Sequence, residues 1–361
     1  MFLKKIFPLF LFSVFLIGCS SVSSEGPTTT DNNSPKSPDW LIPQDQVFDG
    51  GPGRDGIPPI ENPKFGPSNG ESYLNNDDLV IAVKVGNEIK AYPHPIMDWH
   101  EIVNDNIGGR KVSVTYCPLT GSAVIWNRTL KNGSATTFGG SGLLYNTNLI
   151  LYDRQTLSNW SQFLLECVNG PLIGEEISTT PVFETRYSTW KLMYPDSKML
   201  TRNTGFNRPY GTFPYRDYKT NNNYLLFPVN ITDTRLPQKE RILGVIFNGG
   251  SKVYRINLFG ADIKVIKDNV GGTPIVVVGT TPKNFAVAYQ STLNDGTSLQ
   301  FTALQNSLPL IMKDNEGNKY DVFGFAVEGP RKGIRLKATK SFTAYWFAWA
   351  AFYKDAIINT N

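Results

Sequence analysis

The chain has 361 residues, a formal net charge of +4 and 18% charged residues, with basic and acidic side chains interspersed along its length. This balance gives no electrostatic footprint for nucleic acid. Three cysteines and two histidines restrict any thiol or metal chemistry to a few positions.

The N-terminus reads as an export leader over residues 1–18. Lys4 and Lys5 form a short positive region, and Phe7 to Ile17 is almost wholly apolar but too short to span a bilayer. The leader ends in Leu16-Ile17-Gly18-Cys19, which resembles the lipobox of bacterial lipoproteins. That resemblance implies cleavage before Cys19 and a diacylglycerol on its thiol. Ser20 in place of aspartate then favours the outer membrane, on its periplasmic or surface face. The expected partner is therefore the membrane itself, through the lipid. The alternative is an ordinary leader with an incidental cysteine. Residues 19–40 are rich in Ser, Thr, Asn, Pro and Gly and read as a flexible tether, because they bury too little to offset their ordering entropy. No second stretch is long and apolar enough for a membrane span.

The remaining ~320 residues could fill two ordinary domains, and they contain an internal repeat. Asn106-Ile107-Gly108-Gly109 matches Asn269-Val270-Gly271-Gly272, and the spacing holds to Ala123-Val124-Ile125-Trp126 against Ala286-Val287-Ala288-Tyr289. Lys90-Ala91-Tyr92 matches Lys252-Val253-Tyr254, Gly170-Pro171 matches Gly329-Pro330, and Trp190, Tyr194 and Asp196 match Trp349, Tyr353 and Asp355. Ordered matches over so long a span predict two copies of one unit, near 75–200 and 241–361. The corresponding regions are 41–200, an irregular Gly- and Pro-punctuated connector at 201–240, and 241–361.

Each copy reads as strands first. Leu79 to Val85 and Glu88 to Tyr92 flank the turn Gly86-Asn87. Lys111 to Tyr116, Val124 to Arg128 and Leu149 to Tyr152 are further strands, and the four-residue spacing of Trp190 and Tyr194 suggests a short helix near the end. The expected class is mainly β with short helices: two tandem copies of a β-sandwich or barrel-like unit.

Residues that recur in both copies serve the fold, whereas reactive residues found in one are candidates for chemistry. Cys117 aligns with Thr280, His100 with Ile263, Trp160 with Tyr320, Gln162 with Val322 and Cys167 with Ala326. Cys117 ends a β run, where functional residues are often presented, and His100 is the candidate base or orienter for it. Asp153, Arg154, Trp160 and Gln162 form the supporting polar run, although Asp153 recurs as Asp314 and also reads as a turn cap. Three readings follow. Cys117 is a redox-active thiol with Cys167 as a possible resolving partner; Cys117 and His100 hold copper; or Cys117 and Cys167 form a structural disulfide in a noncatalytic surface or assembly protein. An inert buried cysteine and a histidine satisfied by a backbone carbonyl are the alternatives to the first two.

Several motifs together resemble the domain of unknown function 3179 family: Asp49-Gly50-Gly51-Pro52, His100-Glu101-Ile102-Val103-Asn104-Asp105, Tyr116-Cys117-Pro118-Leu119-Thr120-Gly121, Leu151-Tyr152-Asp153-Arg154-Gln155-Thr156 and Arg208-Pro209-Tyr210-Gly211. The resemblance covers nearly the whole mature chain. Its relatives are often exported or lipid-anchored, and a second cysteine at the position of Thr120, or selenocysteine in some relatives, implies redox chemistry. Thr120 removes that CxxC pair here, which favours one-thiol chemistry or metal binding.

Overall fold

The computed structural model describes residues 40–360, so the expected leader and Cys19 lie outside the described residues, as does nearly all of the tether. Among the described residues, twenty-five strands form six sheets, none of which closes on itself, and three short α-helices accompany them. The mainly β expectation with short helices therefore holds, whereas a barrel does not form. No helix among the described residues is long and apolar enough to cross a membrane.

Two of the sheets share one plan. In the first, the hairpin Leu79–Val85/Glu88–Pro93 is flanked by Phe183–Arg186, antiparallel to its first strand, and by Lys198–Leu200, parallel to its second. In the other, Arg241–Phe247/Gly250–Arg255 is flanked in the same way by Lys340–Tyr345 and Ile357–Asn359. The first strand of each hairpin is a nearly continuous apolar run, as a strand buried on both faces requires, whereas the second carries Lys and Tyr among its apolar residues. Each plan includes a seven-residue helix. Tyr187–Met193 (α2) joins the flanking strands of the first sheet and Trp346–Phe352 (α3) those of the second. The rings of Trp190 and Tyr194 lie 4.9 Å apart and those of Trp349 and Tyr353 4.8 Å apart.

The helix His94–His100 (α1) was not foreseen. Pro95 fits its first turn, where a missing N–H costs nothing. It ends at Glu101, whose φ of 58° is a conformation normally left to glycine. The chain then enters the three-stranded meander Ile102–Ile107, Arg110–Cys117 and Ser122–Asn127, in which Cys117 pairs with Ser122 across a tight turn. A five-stranded sheet containing Phe138–Tyr145 and Asn148–Asp153 lies beside it.

The apolar core does not divide at the connector. One cluster joins Cys117, Trp126 and Trp160 to Ile242, Trp346 and Trp349, and a second joins Val80 and Trp190 to Val276 and Phe323. Phe163 stacks on Phe352 with ring centroids 4.6 Å apart, which ties the two halves together through aromatic area. Residues 201–240 contain no helix or strand, as their Gly and Pro content predicts.

Candidate functional site

The last turn of α1 grips the connector with three consecutive side chains. Asp98 accepts from Lys219 Nζ at 2.8 Å, Trp99 Nε1 donates to the Thr212 carbonyl at 3.0 Å, and His100 Nε2 meets the Tyr210 hydroxyl at 2.6 Å. The other His100 nitrogen, Nδ1, lies 2.7 Å from the Pro58 carbonyl. A carbonyl can only accept, so Nδ1 carries the proton and Nε2 accepts from Tyr210. His100 thus fastens the connector and the 50–61 segment to the helix. Both ring nitrogens are used elsewhere, and the expected pairing with Cys117 is not formed.

The residue after these three, Glu101, projects into a cavity of about 310 Å³. Its walls are the glycine-rich loop (Gly50, Pro52, Gly53), Leu119 and Leu149, and Tyr215 and Phe227 of the connector. The loop is held close by backbone bonds, Gly50 N–H to the Gly142 carbonyl at 2.8 Å and Asp55 N–H to the Gly140 carbonyl at 2.9 Å. Gly142, with φ of 83°, allows this approach, since a Cβ there would stand 2.7 Å from the Gly53 backbone. Arg154 latches the same loop through Asp55 at 3.0 Å and also pairs with Glu61.

The opposite wall is set by the tip of the Phe138–Tyr145/Asn148–Asp153 hairpin. Asn146 and Thr147 both have positive φ, as a two-residue turn of this hand requires. For β-branched Thr147 this is a strained conformation that the surroundings must hold. Its hydroxyl donates to the Phe227 carbonyl at 2.7 Å, and Asn146 Oδ1 accepts from the Asn230 N–H at 2.8 Å, so the tip docks the connector. The Thr147 carbonyl accepts from the Cys117 thiol at 3.8 Å.

Glu101 is the unusual group in this cavity. Among the described residues nothing hydrogen-bonds its carboxyl, and none of the residues lining the cavity is Lys, Arg or His. Burial, reinforced by the charge of Asp98 one turn earlier, pushes the carboxyl up to about 8. Asp98 itself is raised to about 6 by burial, against the opposing effect of Lys219. At neutral pH Glu101 is therefore a protonated acid with a free donor facing apolar walls.

Cys117 is 1% exposed and packs in the same cluster as Leu119 and Leu149 without lining the cavity itself. Burial, and then the Glu101 charge, push its thiol up to about 11, against the opposing effect of the Thr120 hydroxyl beside it and of hydrogen bonds from the Leu149 and Thr120 amides. Cys167, fully buried, donates to the Asn169 carbonyl at 3.4 Å and is also raised to about 11 by burial. Both are free thiols, so the disulfide that was one of the three readings is not formed between them. Neither is poised as a thiolate at neutral pH. In the native protein at pH 8, a disulfide reagent should react with neither thiol within minutes, and both should react after unfolding; rapid native labelling of Cys117 would contradict this geometry.

The polar run splits by role. Asp153 caps its own turn, accepting from the Gln155 and Thr156 amides, the Thr156 hydroxyl and Trp160 Nε1 at 2.7 to 3.1 Å. Trp160 is core. Gln162 is buried in a closed network: its carbonyl accepts from Ser122 and Asn148 at 2.8 Å, and its amide donates to Thr115 at 2.9 Å. Asn148 donates to the Thr120 hydroxyl, which donates in turn to Ser122 and lies beside Cys117. Gln162 is therefore a positioning residue two steps from the thiol, with no group left for an outside ligand. No three His, Cys, Asp or Glu side chains converge among the described residues, so the residues present do not form a copper site.

A second, polar cavity of about 410 Å³ lies on the other flank of α1, lined by His94, Asp98, Lys219, Arg241 and Tyr345 among others. His94 Nε2 bonds Glu184 at 2.8 Å, and Arg241 reaches the same carboxylate oxygen at 3.4 Å. Burial pushes His94 down to about 4, against the opposing effect of Glu184, so it is a neutral, structural imidazole.

Sequence reasoning passed over Glu101, although a signal existed. In the alignment that sets His100 against Ile263, Glu101 falls opposite Lys264 and Asp98 opposite Ala261. The comparison of matched segments that picked out Cys117 therefore also distinguishes both carboxylates.

A family model described as a protein of unknown function (DUF3179) matches residues 54–356, and the chain belongs to that family. No curated protein and no solved structure matches it.

Proposed function

We propose that this member of the domain of unknown function 3179 family is an exported protein, anchored to the outer membrane through a lipid on Cys19, whose working site is the Glu101 cavity. The observation that carries the site is a glutamate carboxyl without a protein partner, opening on an apolar cavity of a size suited to a small molecule; its raised pKa supports this. Such a group costs free energy unless something in the cavity accepts its hydrogen bond. Its position after α1, in a backbone conformation unfavourable for glutamate, is the kind of strain that persists at binding sites.

Two measurements test the two parts. Metabolic labelling with radioactive palmitate should mark the wild-type protein and fail in Cys19→Ala. For the cavity, Leu143→Trp places an indole in the space that a ligand would fill. Neutral two-ring probes should raise the melting temperature of the wild type and not of this variant. Equal shifts in both proteins would remove the cavity as the site.

Thiol chemistry at Cys117 is the second reading. It is favoured by the Leu149 and Thr120 amides turned on the sulfur, which would stabilise a thiolate while Glu101 is uncharged and the cavity is occupied. An alkylation rate at Cys117 that rises when a probe binds supports it; an unchanged rate removes it.

The two halves are read as duplicates, with the second as the structural partner. In each, a Lys-x-Tyr pair on the hairpin grips one aspartate. Lys90 and Tyr92 reach Asp105 at 2.9 and 2.6 Å, and Lys252 and Tyr254 reach Asp268 at 2.8 Å each. Asp153 binds Trp160 as Asp314 binds Tyr320, at 3.1 and 2.7 Å.

A further inference from the structure

We propose that the ligand of the Glu101 cavity is an uncharged, largely apolar molecule bearing a carbonyl oxygen, received by the Glu101 carboxyl as hydrogen-bond donor. This rests on the reading of the cavity as a binding site and adds the ligand's chemical class.

Three features of the walls define that class. Leu119, Leu144, Leu149 and Ile150 contribute aliphatic surface and Phe227 an aromatic ring, so most of the ligand must be apolar. No lysine, arginine or histidine lines the cavity, so a carboxylate or phosphate would enter without a counter-charge. The polar side-chain groups on the walls are the Glu101 carboxylic acid and the Tyr215 hydroxyl; each has a proton to give and so is met by an acceptor better than by a cation. A carbonyl oxygen satisfies either. An ammonium would require Glu101 to ionise beside Asp98, where two carboxylates already oppose each other's charge.

The charged and titratable groups around Glu101 are consistent with one protonation state. Asp98 lies on its own helix, Cys117 at the end of the adjoining strand and Tyr215 on the connector. Asp98 stands in opposition to a negative Glu101, while burial keeps the Cys117 thiol and the Tyr215 phenol protonated. The donor is therefore present through the neutral range and is lost as pH rises through about 8.

Three probes of nearly the same shape separate the possibilities: 1-tetralone, tetralin and 1,2,3,4-tetrahydro-1-naphthoate, titrated against the purified full-length chain. At pH 6.5 the ketone should bind about tenfold tighter than the hydrocarbon, as one buried hydrogen bond gives, and about tenfold or more tighter than the carboxylate. Glu101→Leu should bring ketone and hydrocarbon within about twofold of each other, whereas Glu101→Gln, whose amide still donates, should keep the preference and lose its decline above pH 8. Equal affinity for all three probes, each abolished by Leu143→Trp, would overturn the ligand class while leaving the cavity as a site. Tightest binding of the carboxylate, or an unchanged ketone preference in Glu101→Leu, would also overturn it. Failure of every probe to bind would remove both the class and the site.

Discussion

Glu101→Gln should stabilise the protein in alkaline solution and change it little in acid. The carboxyl is raised from the ordinary range to about 8 in the folded chain. The folded state therefore holds a proton that the unfolded chain gives up near pH 4.5. For a raised acid the stabilising contribution is complete below the unfolded value and drains away as pH climbs, until it is gone above the folded value. In the wild type that window runs from about pH 4.5 to about pH 8. Glutamine keeps the shape and one donor and does not titrate, so the variant should lack this component, while those of Asp98 and His94 remain in both proteins. A shift of this size corresponds to about 5 kcal/mol at most. Water entering the cavity when the carboxylate forms reduces that, and a gain of about 2 kcal/mol at pH 9 is expected. Urea unfolding of both proteins at pH 5 and pH 9 measures it. Parallel curves at the two pH values would mean that the carboxyl titrates normally and that the cavity is wet.

The same carboxyl marks the limit of what the sequence discloses. Strands such as Leu79–Val85 and the turn at Gly108-Gly109 were legible because alternating or continuous apolar runs and positive-φ glycines are local signals. The short helices around Trp190 and Trp349 were legible from a four-residue aromatic spacing. By contrast, α1 begins with His-Pro and carries too few apolar residues to give a helical stripe; its packing in the core sustains it. The site was legible in its motifs but not in its roles. His100, Glu101 and Cys117 lie within 18 residues, yet whether a side chain turns to its neighbour or to a distant loop is decided by tertiary contacts. His100 turned to Pro58 and Tyr210, which are 42 and 110 residues away, and left Glu101 to face the cavity. The connector, which reads as loop from its composition, supplies the wall that makes the cavity a cavity.

That wall has its own fastening, and cutting it should have the second large effect. Lys239, at the end of the connector, is 7% exposed and points its ammonium at three backbone carbonyls: Tyr218 at 2.8 Å, Asn221 at 2.7 Å and Tyr224 at 3.1 Å. The ammonium has three protons and gives one to each. It also sits 3.6 Å from the centre of the Tyr218 ring, close enough for the ring face to attract the charge. One side chain thereby folds residues 218–224 into a compact turn that secondary structure does not otherwise hold. Lys239→Met keeps the stem and removes the charge, leaving three carbonyls without their donor. The expected loss is about 3 kcal/mol, in the range for breaking a buried charged contact. It should be accompanied by protease cleavage within 201–240 under native conditions, because the unfastened turn can leave the surface. Lys219→Met removes the hydrogen-bond donor of the buried Asp98 carboxylate, which can take up a proton instead, and should cost about 1–2 kcal/mol, less than Lys239→Met. If Lys239→Met proves as stable as the wild type and its connector as resistant, the turn is held by the packing of Tyr218 and the bonds to Asp217, and the cavity wall does not depend on the ammonium.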